Sequence, residues 1–256
     1  MIVCFVKMIK YLQSKLIDVL KKIMYLFYVP DIDQRWELDE EESQHCVRVL
    51  RLTAGDVILL TDGRGNTYEA RITNPHPKHC AFEVISSEQQ VNKRPYRLHV
   101  AIAPTKNIDR IEWMVEKCTE IGVDEITPLL CRFSERKVIK PERLTKIMVS
   151  AAKQSLKAYM PILHDMCTFE EFVSNVVCEQ RFIAHCYKDE KRLLQQELQQ
   201  GKDVVVLIGP EGDFSEEEVQ RALTAGYIPV SLGDNRLRTE TAGVVACHTV
   251  ALLNQA

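Results

Sequence analysis

Short apolar runs separated by turn-forming residues characterise the chain between residues 24 and 92. Residues 57–60 form one such run, residues 61–66 are rich in Gly, Asp and Asn, and apolar positions alternate with polar ones over residues 68–72. This order predicts a β-hairpin. The other elements predicted here are a short helix at residues 41–50 and a strand at residues 81–85. We therefore predict a small β-barrel-like domain over residues 24–92.

A second pattern follows a polar linker, which we predict at residues 86–95, and continues to the end of the chain. Strand-like apolar runs alternate in it with stretches of helical period, which is typical of an α/β domain whose parallel sheet carries helices on both faces. The predicted strands are residues 98–103, 125–130, 182–186, 204–208 and 228–232. The predicted helices are residues 108–121, 143–159, 189–200, 216–225 and 241–254. This second domain is predicted over residues 96–256.

The first 23 residues have a third pattern, that of a basic amphipathic helix. Their longest unbroken apolar run covers only residues 1–6, whereas a membrane-spanning helix needs about 20 apolar residues. Two interpretations stay open: a helix that lies on a membrane surface, or a segment upstream of a true start at Met24. In either case we expect no stable membrane association.

Composition excludes several classes of protein. The net charge of −3 argues against a chain that is basic throughout, so any nucleic acid must meet a local basic surface. The nine cysteines contain no C-x-x-C pair, and their odd number without a secretory signal favours a reducing, cytoplasmic location. Because neither the cysteines nor the seven histidines show the spacing of metal ligands, we expect no metal site.

The first loop that could carry chemistry follows the apolar run at residues 204–208 and precedes a predicted helix. Gly209 and Gly212 would let backbone approach a ligand closely, and Ser215 with Glu218 fits a capping box. The glycine spacing fits neither a phosphate-binding loop nor the dinucleotide fingerprint. On its own, the segment is equally well explained as a ligand loop or as a tight strand-to-helix turn.

The second loop, residues 232–242, also lies between a predicted strand and a predicted helix. Arg236, Arg238, Thr239, Glu240 and Thr241 place positive charge, hydrogen-bond donors and acceptors within six residues. A solvated helix start with Thr239 as N-cap would explain the threonine and the acid. It would not explain the two arginines, which suit binding of a phosphate or a base edge.

Together the two loops resemble those of the ribosomal RNA small-subunit methyltransferase E family of the SPOUT superfamily. The resemblance runs from about residue 24 to the end of the chain. The matching residues are Gly209, Pro210, Glu211, Gly212, Phe214, Ser215, Leu232, Gly233, Leu237, Arg238, Thr239, Glu240, Thr241 and Ala242. Three departures concern Asp213, where the family has a second glycine, the pair Asn235–Arg236 in place of Arg-Ile, and Lys153, where the family commonly has an acid.

The resemblance implies an α/β trefoil-knot domain, preceded by a PUA-like RNA-binding barrel, in a homodimer that binds S-adenosylmethionine. The residues implied to bind this cofactor are Leu207, Gly209, Glu211, Gly212, Leu232, Gly233, Leu237 and Thr241. It implies methylation of uridine N3 in small-subunit (16S) ribosomal RNA. Arg238 is then expected to hold phosphate or to stabilise the uracil anion, and the general base stays open between Glu240 and Glu211.

A basic stretch supplies candidate RNA contacts, because residues 132–157 contain eight basic and two acidic side chains. The candidate RNA-binding residues are Arg48, Arg51, Arg132, Arg136, Lys137 and Lys153. A solvated helix face would also explain the stretch. Two other hypotheses for the whole chain stay open: a SPOUT methyltransferase acting on another RNA, and a non-catalytic RNA-binding factor in ribosome assembly.

Overall fold

The computed structural model describes residues 25–187 and 191–255, so the amphipathic helix predicted in residues 1–23 lies outside the described residues. The chain forms two compact units. One comprises the residues up to Lys93 together with Ala152–Met160, and the other comprises Arg94–Ala151 with Pro161–Ala256. None of the helices found in residues 25–187 and 191–255 could span a membrane.

The first unit is built on a four-stranded sheet whose strands follow each other in chain order. The hairpin predicted from the alternating pattern is confirmed, because β2 and β3 pair antiparallel with Leu60 opposite Tyr68. Its elements are β1 (Leu26–Tyr28), α1 (Glu40–Gln44), β2 (Val57–Thr61), β3 (Thr67–Asn74) and β4 (Ala81–Glu88), with a π-helical turn over His45–Val49 after α1. Closure of this sheet into a barrel stays a prediction.

The turn between β2 and β3 is held by the buried carboxylate of Asp62. Its Oδ1 accepts the backbone N–H groups of Arg64 at 2.8 Å and of Asn66 at 3.2 Å, and its Oδ2 accepts the Asn66 side-chain amide at 2.7 Å. A carboxylate that accepts several donors satisfies turn amides that would otherwise need water. In the segment 61–66, which is rich in turn-forming residues, the Asp62 side chain is therefore the group that holds the turn.

Two predicted boundaries in this unit are wrong. The predicted linker begins at residue 86, but β4 continues to Glu88. The helix predicted over residues 143–159 ends at Gln154 because Leu156 adopts a left-handed φ of 54°. The Lys157 N–H then donates to the Ala152 carbonyl at 2.9 Å, which closes the helix end.

The second unit is an α/β structure with an eight-stranded, fully parallel sheet. Its strands are β5 (Leu98–Ile102), β6 (Glu125–Leu130), β7 (Ile162–Leu163), β8 (Cys167–Thr168), β9 (Gln180–Ala184), β10 (Arg192–Leu193), β11 (Val204–Ile208) and β12 (Ile228–Ser231). Their spatial order is β10-β12-β9-β11-β5-β6-β7, and β8 pairs with β6. The predicted central strand is confirmed, since every residue of β11 is buried.

Helices cover both faces of this sheet. The helices are α2 (Ile108–Ile121), α3 (Pro141–Gln154), α4 (Phe169–Asn175), α5 (Leu194–Glu197), α6 (Glu216–Thr224) and α7 (Thr239–Leu253). Val204, Val206 and Ile208 of β11 belong to the core beneath α2 and α7, whereas Val205 and Leu207 belong to the core beneath α4 and α6. Because successive side chains of a strand point to opposite faces, β11 contributes to both cores and must be apolar throughout.

Three helix predictions need correction. Of the helix predicted over residues 189–200, whose first two residues lie outside the described range, only α5 forms, and Arg192–Leu193 is a strand. Helix α4 was not predicted, because its seven residues are too few to show a helical period. Helix α7, predicted over residues 241–254, begins at Thr239 with Arg238 as its N-cap, which excludes the alternative in which Thr239 caps the helix.

The contact between α2 and α7 generates a stability prediction. Met114 of α2 is fully buried next to Gly243 of α7, and we expect Met114→Ala to lower the free energy of unfolding by about 2–5 kcal/mol because it leaves a cavity. Val177→Ala, at a position that is 95% exposed, should change it by less than about 0.5 kcal/mol. Urea denaturation followed by circular dichroism measures both, and equal effects would contradict the packing described.

Candidate functional site

A cleft of about 310 Å³ lies at the carboxyl edge of the sheet in the second unit. Ala184 and Ile208, the last residues of β9 and β11, form its base. The other lining residues are Arg110, Cys186, Gly209, Pro210, Glu211, Asp213, Arg236, Leu237, Arg238, Thr239 and Ala242. Ligands of open α/β sheets commonly bind outside the carboxyl ends of the strands, and this volume is within the usual range for small-molecule sites.

The first loop of the cleft is folded back on a buried aromatic ring. A Cβ placed at Gly209 would lie 3.1 Å from Phe214 Cδ2 and 3.1 Å from the Phe214 backbone nitrogen, so a larger residue would displace the loop. Phe214 is fully buried, and the capping box predicted after it is confirmed. Ser215 Oγ accepts the Glu218 N–H, and Glu218 Oε2 accepts the Ser215 N–H at 2.8 Å.

Asp213 accounts for the departure from the family's second glycine. Its φ of 68° is in the left-handed region that glycine favours, and aspartate tolerates this region better than most residues. Its Oδ2 accepts the Cys186 N–H at 2.7 Å, which joins the loop after β11 to the residues after β9. Burial and the Asp213 carboxylate raise the pKa of the Cys186 thiol, so this cysteine stays a neutral wall of the cleft.

Glu211, in the same loop, is joined to the loop that follows β5. Its Oε1 accepts the Lys106 N–H at 2.9 Å, and Arg136 Nε donates to the neighbouring Thr105 carbonyl at 3.0 Å. The Arg132 N–H donates to Glu218 Oε1 at 2.8 Å, so the capping-box carboxylate binds a third loop, the one after β6. Three loops at one edge of the sheet are thus linked by hydrogen bonds that involve charged groups.

The second loop brings an arginine to the cleft from the start of α7. Arg238 is exposed, and it forms no ion pair with any residue that the structure describes. Arg238 and Arg110 line both the cleft and an adjoining depression, which also contains Trp113, Glu240 and Thr241. Two arginines are therefore shared by the cleft and the depression, an arrangement that suits an anionic or strongly polar ligand.

Glu240 lies beside this pair of arginines. Its side chain is only 9% exposed, its Oε1 is 3.8 Å from Arg110 Nε, and its Oε2 has no hydrogen-bond partner among the described residues. A buried carboxylate oxygen without a partner is costly and suggests that a ligand or a proton completes it. Arg110 was not predicted as a site residue, because one arginine on an amphipathic helix carries no local signal.

The structure brings only part of the predicted cofactor set together. Gly209, Glu211 and Leu237 line the cleft, and Thr241 lines the depression beside it. The other four lie outside it, since Leu207 is in the core, Leu232 packs against the core, Gly212 faces Phe133 and Gly233 is exposed with a φ of 134°.

The predicted RNA-binding residues also fall into two groups. Arg48, Arg51, Arg132 and Lys137 are exposed. The other two have partners within the protein. The Arg136 guanidinium donates to the Thr105 and Lys106 carbonyls, and Lys153 forms an ion pair with buried Glu42. The Lys153 side chain is only 23% exposed, so its charge serves the packing of the first unit.

Two family models of RNA methyltransferases match this chain. Residues 92–251 match the family model of an RNA methyltransferase domain, and residues 38–85 match that of an RNA methyltransferase PUA domain. The chain is also 32% identical to the ribosomal RNA small subunit methyltransferase E of Synechocystis over 84% of its own length and 72% of the relative's. The chain therefore belongs to the ribosomal RNA small subunit methyltransferase E family.

Solved structures agree with this assignment. A probable rRNA-methyltransferase from Porphyromonas gingivalis superposes with a TM-score of 0.86 at 44% identity, covering 90% of this chain and 98% of the other. The ribosomal RNA small subunit methyltransferase E of Neisseria gonorrhoeae, solved with S-adenosylmethionine bound, superposes with a TM-score of 0.76 at 27% identity over 87% and 94% of the chains. S-adenosylmethionine is the cofactor of this family.

The backbone of the first loop generates a testable prediction at Asp213. Asp213→Ala should lower the free energy of unfolding by about 1–2 kcal/mol relative to Asp213→Gly, because alanine is strained at a left-handed φ. Asp213→Asn is the matched control, since asparagine tolerates this conformation and keeps one oxygen for the Cys186 N–H. Urea denaturation of the three variants would contradict the described loop if alanine and glycine proved equally stable.

Proposed function

We propose that this chain transfers a methyl group from S-adenosylmethionine to N3 of a uridine in small-subunit (16S) ribosomal RNA. One observation carries the proposal: the loop after β11 and the loop before α7 meet at a single cleft at the carboxyl edge of the sheet. These are the two loops whose residues match the family's motifs. The trefoil knot expected of the family is part of the same proposal.

The residues of the cleft suit the cofactor. Gly209 lines the cleft at a position where a side chain would displace the loop, and Leu237 supplies an apolar wall for a ring system. Glu211 and Asp213 contribute carboxylates, which attract a cation such as a sulfonium, and nearby arginines can bind a carboxylate. When bound, S-adenosylmethionine supplies a methyl group that is already a good electrophile.

The remaining chemical task concerns the uridine. Its N3 carries a proton and becomes a good nucleophile only when that proton leaves, so the site must stabilise the uracil anion. Arg238 and Arg110 line the cleft and offer donors for this anion. We assign Arg238 this role, in agreement with the expectation from the sequence.

Two carboxylates are candidates for accepting the N3 proton. Glu240 has a free buried oxygen in the depression that Arg238 shares with the cleft, whereas Glu211 lines the cleft but accepts the Lys106 N–H. We favour Glu240, because its Oε2 is available and Glu211 is needed to hold two loops together. Glu240 also places Arg110, whose Nε is 3.8 Å from its other oxygen.

The proposed RNA surface of the second unit lies next to the cleft. Arg132 and Lys137 are exposed on the loop that Glu218 holds against the first cleft loop, and they can neutralise phosphates beside the target base. In the first unit, Arg48 and Arg51 are exposed and are the proposed contacts of the PUA domain. We further propose a homodimer, which would cover half-exposed Trp113 beside the cleft.

The experiment that tests the reaction is methyl transfer from labelled S-adenosylmethionine to small ribosomal subunits from cells that lack the enzyme. We expect labelled 3-methyluridine when the product nucleosides are identified by mass spectrometry. A different methylated nucleoside would refute the assignment to N3. Absence of transfer to subunits, naked ribosomal RNA and transfer RNA would favour a non-catalytic RNA-binding factor.

The role of Arg238 generates a second prediction. Arg238→Ala should lower the rate of methyl transfer by about 100-fold or more, the size of effect seen when one donor to a developing anion is removed. Arg221→Ala is the matched control, because this arginine of α6 pairs with Glu170 of α4 and does not line the cleft. Circular dichroism should show both variants folded, and wild-type turnover of Arg238→Ala would exclude the proposed role.

A further inference from the structure

A second cavity, of about 460 Å³, lies on the face of the sheet that α4 covers, towards the amino-terminal ends of the strands. It is distinct from the cleft, which is at the carboxyl ends of β9 and β11. Three side chains with metal-ligating atoms meet in it: His99, Glu125 and His164. The mechanism proposed above uses none of them.

The register of three neighbouring strands brings these residues together. His99 is directly opposite Glu125 in the β5–β6 pair, and His164 directly follows β7, with its N–H donating to the Ile126 carbonyl at 2.9 Å. His99 Nδ1 is 3.8 Å from Glu125 Oε2, which is 2.7 Å from His164 Nε2. All the ligating atoms lie within 4.8 Å of one another.

These separations suit a small divalent ion. Zinc binds imidazole nitrogen and carboxylate oxygen at about 2.0–2.2 Å, so neighbouring ligands of a tetrahedral site are roughly 3.3 Å apart. The distances from Glu125 Oε2 to His164 Nε2, 2.7 Å, and to His99 Nδ1, 3.8 Å, lie on either side of that value. Small rotations of the His164 ring, which is 40% exposed, would admit an ion between the three groups.

Neighbouring side chains already orient His99 and Glu125. The other ring nitrogen of His99, Nε2, is 2.8 Å from Thr127 Oγ1, and donation to that hydroxyl leaves the lone pair of Nδ1 directed at Glu125. Phe172 packs edge-on against the His99 ring with 5.2 Å between the ring centres. Arg97 lies 3.6 Å from the second Glu125 oxygen, but its guanidinium is bound at 2.8 Å by Asp203.

We propose that His99, Glu125 and His164 form a binding site for a divalent transition-metal ion, with zinc as the best match. Two imidazoles and one carboxylate favour zinc over magnesium or calcium, which prefer oxygen ligands throughout. Because all three residues line the cavity, water can supply the fourth ligand. The ion would connect β5, β6 and the segment after β7 at the edge of the sheet remote from the cleft.

The test is equilibrium dialysis of the purified full chain against zinc chloride, with metal content measured by mass spectrometry. We expect about one zinc ion per chain, retained in excess magnesium and absent from Glu125→Gln and His164→Gln. Thr127→Val should weaken zinc binding by about 10–100-fold, the usual effect of removing a partner of a metal ligand. Cobalt substituted for zinc should give a visible absorption band that His164→Gln abolishes.

His79→Gln is the matched control, because His79 forms an exposed pair with Glu37 at 3.4 Å in the first unit, and no third ligand joins this pair among the residues that the structure describes. This variant should keep its zinc. His164→Gln changes a partly exposed ring, so circular dichroism should show it folded even if Glu125→Gln is not. The proposal is overturned if the wild-type chain takes up no zinc, or if His164→Gln retains as much zinc as the wild type.

Discussion

The parallel pairing of β11 with both of its neighbours is the constraint on which the second unit depends. Val206 is level with Val100 of β5 and with Phe182 of β9, so the three strands end at the same edge of the sheet. Both faces of β11 are covered, and its five residues must therefore be apolar. The cleft exists because loops leave from this shared edge, and its polar residues are all supplied by loops and helix starts rather than by the strand.

The loops at the carboxyl edge are joined to one another by carboxylates. Glu211 and Glu218 each accept a backbone N–H from a different loop, and Asp213 accepts one from the residues after β9. Carboxylates that bind backbone donors hold loops without requiring them to be apolar, so charged groups remain available near a ligand. A site arranged before its ligands arrive loses less entropy on binding and places donors where charge develops in the reaction.

The amino-terminal edge of the same sheet is organised by a different set of charges. Asp124 Oδ2 accepts the Leu98 N–H at 2.7 Å, and Asp203 Oδ1 accepts the Arg97 N–H at 2.7 Å, so two aspartates hold the start of β5. Arg94 joins Asp124 to the Gly122 carbonyl and fixes the start of β6. The cluster of His99, Glu125 and His164 belongs to this edge, at the opposite end of the strands from the cleft.

Local pattern in the sequence predicted the α/β class, the β2–β3 hairpin, the buried strand β11 and the capping box of α6. Each depends on contacts between residues close in the chain or on burial of both faces of one element. It also identified the two loops of the cleft, because their residue types suit ligand binding. It did not predict α4, the end of α3 at Gln154, or the reduction of the helix expected at residues 189–200 to α5. A few residues do not establish a helical period, and the left-handed φ of Leu156 that follows α3 is not visible in the pattern.

Only the tertiary structure decided which side chains share a site. In the structure Arg110 lines the cleft and Leu207 is buried in the core. Arg136 and Lys153, which were expected to bind RNA, bind other groups of the protein. His99, Glu125 and His164 are 26 and 39 positions apart, so no motif in the sequence could join them. The sequence by itself determined the elements and the chemical types in each loop, because these follow from local pattern. Proximity between distant residues follows from strand order and register, which depend on packing across the whole sheet.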